Sequence, residues 1–420
     1  MDKTIIEKAQ QEVDRREFLK IMGVVTASTL AASACSRLPM TDVPATDLSA
    51  ESMLVMSETG SERSVALAGA ARGASEKELM QAVKDAALTA TDLSWLKPGD
   101  DVFIKPALNS GNPFPATTSP LAIKAMVGLL REKGAGRVIV SDMSGIEHVK
   151  LTEDSLDGSS RQLMESSGIA QAATEAGAEL YFPEEDGWDS FVEEVPRDRT
   201  YWEKGIMMPG ILQDVEHVIL MPRCSRHLLL GASLGLKCAV GYWRTDSRFE
   251  YHRFASTIQE KTADANTVPS LLGKQRLVIT DATQMITTLG PDNGFIARPE
   301  TGLVIASQNI VAHDMVSLAW LLVNRFAMTE EERSEFRDPY TNQFLVSNLN
   351  RLVVTRLGEF KHILGTEKLV RNDLNCIWDD RVLNRAFEVF GGIPRLGFVS
   401  VKDSVPADLL TSLESMVTRG

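Results

Sequence analysis

The chain has 420 residues, 44% of them hydrophobic and 24% charged, with a net charge of −13. That composition is ordinary for a globular protein and is enough for one large α/β domain or two smaller ones. An acidic chain without a Lys/Arg run excludes a nucleic-acid-binding protein. Its four cysteines, Cys35, Cys224, Cys238 and Cys376, are too few and too scattered for a disulfide scaffold or a paired-cysteine metal site.

The N-terminal stretch Asp14-Arg15-Arg16-Glu17-Phe18-Leu19-Lys20 precedes a mildly apolar run from Ile21 to Ala34. This is the layout of a twin-arginine export signal. It predicts a signal peptide over 1–34, passage through the twin-arginine translocase in the folded state, and a periplasmic or cell-envelope destination. Ala32-Ser33-Ala34 suits cleavage by signal peptidase, whereas Cys35 directly after it suits lipidation, and both readings stand. A lipid anchor at Cys35 would be the only membrane contact. Beyond the N-terminus no apolar stretch approaches the ~18–20 residues of a spanning helix. Five basic and five acidic residues lie within 1–34, so the acidic balance belongs to the rest of the chain. Residues 35–62, rich in Ser, Thr, Pro, Met and Glu, read as a flexible tether. Export in the folded state commonly accompanies a cofactor, but the segment names none.

An α/β domain is expected over 63–420. Val65–Ala68 is a strand candidate and Glu76–Ala87 has helical spacing. Pro98-Gly99-Asp100 turns into the strand Asp101–Ile104, which Lys105-Pro106 ends. Thr117-Thr118-Ser119-Pro120 opens a helix that closes at Gly134, and Arg137–Ser141 is the next strand. This βαβ order predicts parallel strands. Ser160–Ala176 reads as one helix, Glu179–Phe182 as a strand, and Asp186–Pro209 as irregular. Strands follow at Val215–Met221, Arg276–Thr280 and Leu303–Ala306, helices at Phe254–Asp264 and Val311–Phe326. The remainder is mostly helical to Phe390, with a last strand at Leu396–Val399. Apolar strands alternating with helices predict a mainly parallel sheet with helices on both faces.

Val218–Arg253 stands out within this order. Its strand breaks at Pro222, an apolar helix containing Gly231 and Gly235 is expected next, and a polar turn follows. Six basic residues (Arg223, Arg226, Lys237, Arg244, Arg248, Arg253) face two acids (Asp246, Glu250) here, in an otherwise acidic chain. A basic cluster at a strand-to-helix junction suits a small anionic ligand on free helix N–H groups. Ligands of such sheets bind outside the carboxyl ends of the strands. Lys105, Asp142, Arg223 and Asp281 are all expected there. Candidate catalytic residues are therefore Lys105, His227, Lys237 and His252, and candidate ligand-binding residues are Thr118, Asp142, Arg223 and Asp281. Cys224 and Cys238, at either end of the expected helix, are too far apart for a disulfide.

The segments IKPALNSG (104–111), TTSPLAIKAMVGLLREKGAGRVIVSDMSG (117–145), VILMPRCSRHLLLGASLGLKCAVG (218–241), YHR (251–253), LVITDAT (277–283) and LVIASQNIVAHDMVSLAWLL (303–322) together resemble the domain of unknown function 362 family. The family's strand–Lys-Pro-Asn motif corresponds to Lys105-Pro106-Ala107. Its Pro-Lys-x-Lys-Thr-His segment corresponds to Pro222-Arg223-Cys224-Ser225-Arg226-His227, and its Leu-Lys-Asn to Leu236-Lys237-Cys238. Its later His and two Asp correspond to His252, Asp281 and Asp314. The family-like core spans about 100–325, and a mostly helical extension covers 326–420. Many members carry ferredoxin-like cysteine clusters; this chain has none, so no iron–sulfur cluster is expected by that route. Thr288-Leu289-Gly290-Pro291 replaces an acidic-Gly element, which sets the chain apart from any metal or acid–base chemistry tied to that element. The expected function is an enzyme, redox-related in one reading, acting on a small anion. The alternative is a non-catalytic periplasmic anion- or metal-binding or maturation protein.

Overall fold

Eight strands make the main sheet: β1 (Arg63–Ala71), β2 (Val102–Pro106), β3 (Val138–Ser141), β4 (Glu179–Tyr181), β5 (His217–Met221), β6 (Gln275–Ala282), β7 (Thr301–Ser307) and β8 (Leu396–Ser400). Their order is β8-β1-β7-β6-β5-β2-β3-β4. The structure is a computed structural model that describes residues 63–197, 200–335, 343–358, 362–370, 372 and 374–419. The twin-arginine segment, Cys35 and the 35–62 tether lie outside the described residues. Among the described residues no helix is long and apolar enough to cross a membrane.

Only β7 opposes its neighbours; every other pairing in the sheet is parallel. A mainly parallel sheet with helices on both faces is therefore observed. The two-residue period of the strands splits the core in two. Val102, Ile104, Val138, Val140, Ile219 and Ile279 pack under α1 (Glu76–Ala90) and α2 (Pro120–Glu132). Phe103, Ile139, Val218, Leu220 and Val278 face the opposite core, which contains α8 (Ile310–Phe326) and α10 (Arg381–Val389). The β2–α2–β3 unit forms as its sequence suggests. Ser119 caps α2 by accepting from Ala122 N–H, Pro120 starts it, and Gly134 leaves it at φ 94°.

Four expectations change. The helix expected over Ser160–Ala176 is two, α3 (Ser160–Ser166) and α4 (Ile169–Glu175), because Gly168 between them sits at φ 82°. The irregular stretch 186–209 contains an antiparallel pair, Phe191–Glu194 with Ile206–Pro209. The apolar helix after β5 is instead a hairpin, Ser225–His227 with Gly231–Ser233, then a single helical turn, α5 (Gly235–Cys238). A short apolar run does not distinguish a buried hairpin from a buried helix. Gly231, at φ 96°, makes the hairpin's turn where an L side chain would be strained. The polar turn that should follow is α6 (Thr245–Arg253), and helix α7 (Ile258–Asp264) comes after it. Cys224 and Cys238 are free and buried, as is consistent with no bridge between them.

Beyond α8 the chain is mostly helical. It includes α9 (Gln343–Leu357) and α11 (Ala407–Val417) and returns through β8 to the sheet edge.

Candidate functional site: a cationic centre at the carboxyl ends of the strands

β2 and β3 end side by side, and Lys105, near the end of β2, forms a buried ion pair with Asp142, just past β3. Lys105 Nζ lies 2.9 Å from Asp142 Oδ1, and both side chains are at most 3% exposed. Nζ also donates to the Pro106 carbonyl at 2.8 Å and sits 5.2 Å from the Tyr242 ring centre. Asp142 Oδ2 accepts from the Leu108 N–H at 2.7 Å. Burial holds the Asp142 carboxyl above the usual range, and neighbouring Lys105 offsets only part of that rise. Gly241 passes directly over this pair: a Cβ there would strike Asp142 Oδ1 and Lys105 Nζ, so the position requires glycine.

Lys237 is held by α5. Asp314, in the first turns of α8, accepts from Gly235 N–H at 2.8 Å and from Leu236 N–H at 2.7 Å. His313 Nδ1 lies 2.8 Å from the same carboxylate, and its Nε2 lies 2.9 Å from Thr280 Oγ1 on β6. The helix-start N–H groups expected to meet a ligand are thus taken by a protein carboxylate. The Lys237 amine, partly exposed, has no ion pair or hydrogen bond among the described residues. Burial first, then Arg223 and Arg248, pushes it down to about 7.

Both histidines feel the charge of Lys237. His227 ends the first hairpin strand, and its Nδ1 accepts from the Leu229 N–H at 3.2 Å. Burial, then the positive charges of Lys237 and Arg223, pushes it well below the usual imidazole range. His252 lies in the last turn of α6, with Nδ1 2.8 Å from Asn350 Oδ1 on α9. Burial brings it to about 4, with Lys237 and Arg248 adding to the fall and Asn350 opposing it. The charges of Arg223, Lys237 and His252 act on His227, and that of Lys237 acts on His252. Trp202 and Trp243 pack against Tyr251 of α6, the three ring centres 5.0–6.1 Å apart.

The remaining predicted residues are placed differently. Arg223 Nη1 donates to Asn109 Oδ1 and to the carbonyls of Ala116 and Pro291, and Nε donates to Ser233 Oγ at 3.2 Å. Its main contacts therefore clamp the loops around the site, and Nη2 has no partner among the described residues. Thr118 Oγ1 accepts from Ala107 N–H at 2.8 Å and donates to the Met221 carbonyl, tying the end of β2 to the end of β5. Asp281 does not join the cationic centre. Strand alternation sends Thr280 toward His313 and Asp281 the other way, where Thr283 binds it at 2.7 Å and burial raises it. Asp142 remains the strand-end acid that acts on Arg223, Lys237 and Arg248.

The sequence model of the family described as "Domain of unknown function (DUF362)" matches residues 102–319, about half of the chain. The chain belongs to this family. Lys105, Asp142, the Pro222–His227 segment, Lys237, His252 and Asp314 all lie inside the segment matched to DUF362. Asn350 lies outside it. No curated protein matches the chain. Among solved structures, the family member is similar to a Thermotoga maritima protein from the Northeast Structural Genomics Consortium, at 14% identity and a TM-score of 0.31, over 51% of this chain and 52% of that one. It is also similar to the lactate racemase apoprotein from Thermoanaerobacterium thermosaccharolyticum, at 11% identity and a TM-score of 0.37, over 60% of this chain and 54% of that one. The chain spans about half the length of these solved structures.

Arg248 was named from the sequence only as one of the six basic residues of the cluster, and Asn350 not at all. Reading Thr245–Arg253 as a helix would have placed Arg248 and His252, four residues apart, on one face. Nothing local to Asn350 marks it; its role comes from a contact 98 residues away. Among the described residues no group of three or more His, Cys, Asp or Glu is arranged to hold a metal ion.

Proposed function

We propose that the cationic centre binds a small anion and carries out acid–base chemistry on it, with Lys237 as the contacting group. One observation carries this reading. Lys237 is largely buried and has no partner among the described residues, and the charges of Arg223 and Arg248 act on it while its own acts on the two histidines. Buried charges of one sign are costly unless an opposite charge compensates them. Asp142 is paired with Lys105, and Asp292 and Glu184 offset Arg223 and Arg248, so Lys237 is the group an anion would compensate. A bound anion favours the Lys237 ammonium, and an amine that titrates near neutrality can give or take a proton on that ligand. Arg223 Nη2 offers a second contact. A nitrogen of each imidazole is left without a hydrogen-bond partner among the described residues.

The test is sulfate, an anion whose charge does not change near neutrality. It should raise the melting temperature of the full chain by mass action, worth ~2.7 kcal/mol at a hundredfold excess over its dissociation constant. Lys237→Ala should abolish the gain while moving the sulfate-free melting temperature less. An equal gain in the variant would refute the assignment. The N-terminal residues Asp14–Lys20 support the further reading that the protein acts in the periplasm or cell envelope, after export in the folded state.

A further inference from the structure

The two histidines of the cationic centre are fixed by different neighbours, and the neighbours dictate where each proton sits. Asn350 is fully buried and makes two contacts with the same residue. Its Nδ2 donates to the His252 carbonyl at 2.8 Å, and its Oδ1 lies 2.8 Å from His252 Nδ1. Turning the amide over would set Oδ1 against the carbonyl oxygen, acceptor against acceptor, so only one orientation satisfies both contacts. Because Oδ1 can only accept, Nδ1 must carry the hydrogen, and in the uncharged ring Nε2 is then bare. His227 is the reverse case. Its Nδ1 accepts from the Leu229 N–H, so its hydrogen is on Nε2.

We infer that Asn350 is a positioning residue that locks His252 as the Nδ1–H tautomer, so that His252 and His227 present one acceptor and one donor to the anion held at Lys237. The inference rests on the proposed anion site for its purpose, but not for its geometry. A ligand suited to this pair carries an oxygen that accepts from His227 and a hydrogen that His252 can receive. His252 is thereby placed as the base of a proton transfer and His227 as the hydrogen-bond donor that steadies the ligand oxygen. A proton leaving the ligand goes to His252 Nε2, giving an imidazolium whose Nδ1–H remains on Asn350. His227 keeps its Nε2 proton and only donates a hydrogen bond to the ligand oxygen, and solvent takes the proton from His252 to restore the neutral ring. The groups that oppose charging of His252 are Lys237 on α5 and Arg248 on its own helix, while Asn350 on α9 favours it. The two rings therefore stay neutral between turnovers, as a donor–acceptor pair requires.

Asn350 comes from α9, beyond the segment matched to the family, so the C-terminal extension contributes to the site and does more than cover the sheet. The experiment is ¹⁵N NMR of histidine-labelled full-length protein near neutral pH, with the two signals assigned by their loss in His227→Gln and His252→Gln. The expected result is a bare Nε2 on His252 and a bare Nδ1 on His227. Asn350→Leu should shift His252 toward the Nε2–H form, and Asn350→Asp, which restores the acceptor, should return it to Nδ1–H with a titration at higher pH. A wild-type His252 bearing its proton on Nε2, or the same tautomer on both rings, would overturn the inference even if neither variant folded. An Asn350→Leu protein with an unchanged His252 tautomer would overturn it too. Because this readout needs no ligand, failure to bind sulfate would remove the proposed function and leave the tautomer lock standing.

Discussion

Lys237 owes its properties to the residues around it. An ordinary surface lysine stays protonated to pH ~10; this one titrates at about 7 because burial and two arginines penalise its charge. Sulfate needs the ammonium form, and the ammonium population falls as pH rises through the folded-state value. Sulfate affinity should therefore drop by up to tenfold per pH unit above neutrality and level off below it, as read by calorimetric titration from pH 6 to 8.5. In Lys237→Met that slope should vanish. The sequence showed the basic residues and their clustering, which is why Arg223, His227, Lys237 and His252 could be named together. It did not show which of them the protein had already partnered. Arg223 and Thr118 look like ligand contacts in a list of residues, yet most of their bonds hold loops and strand ends in place. Asp281 was assigned to the site because it ends a strand, but the side to which a strand-end residue points depends on its register.

At the scale of elements, the single turn α5 matters most. Four residues cannot sustain a helix on propensity alone, so Asp314 provides what length does not, by accepting two of its first N–H groups. Gly235 makes this approach available, since a Cβ there would sit 2.7 Å from Asp314 Oδ1. Asp314→Ala should leave two N–H groups bare, at about 1–3 kcal/mol each, and should weaken sulfate binding by misplacing Lys237. Asp314→Asn, which keeps one acceptor, should lose less on both counts. Urea denaturation with and without sulfate checks this; equal losses for the two variants would argue that the charge of Asp314, and not its two bonds, is what counts. The βαβ unit and strands β2, β3, β5 and β6 were legible because long apolar runs bounded by Pro, Gly and Ser carry their own punctuation. The hairpin after β5 was not legible, because the leucines at 228–230 between its short strands read as part of an apolar helix and the turn owes its conformation to Gly231 and to segments far along the chain.

The whole molecule joins distant parts of its chain around one sheet. Parallel neighbours and two-sided burial followed from the alternation of helices with apolar strands, and that class was readable. The reversed strand β7 was not, because direction depends on which edge the returning chain meets. The N-terminal address can be tested apart from the folded part. Changing Arg15 and Arg16 together to Lys should leave the protein unprocessed in the cytoplasm, scored by fractionation and immunoblot. Normal processing of that double mutant would remove the twin-arginine reading without touching the cationic centre.

β1 has one further consequence. One of its edges pairs with β7, with Ala66 opposite Ala306, and its other edge pairs with β8, with Val65 opposite Phe398. Ser404 Oγ accepts from Gly69 N–H across 335 positions of sequence. A nascent chain therefore makes β1 early but finds both its neighbours only near the end of translation. Until synthesis passes Ser404, that strand has a bare edge, which is the kind of surface on which incomplete chains stick to one another. A stalled ribosome or an early stop codon would thus yield a product that a holdase chaperone or a protease can recognise by one unpaired strand.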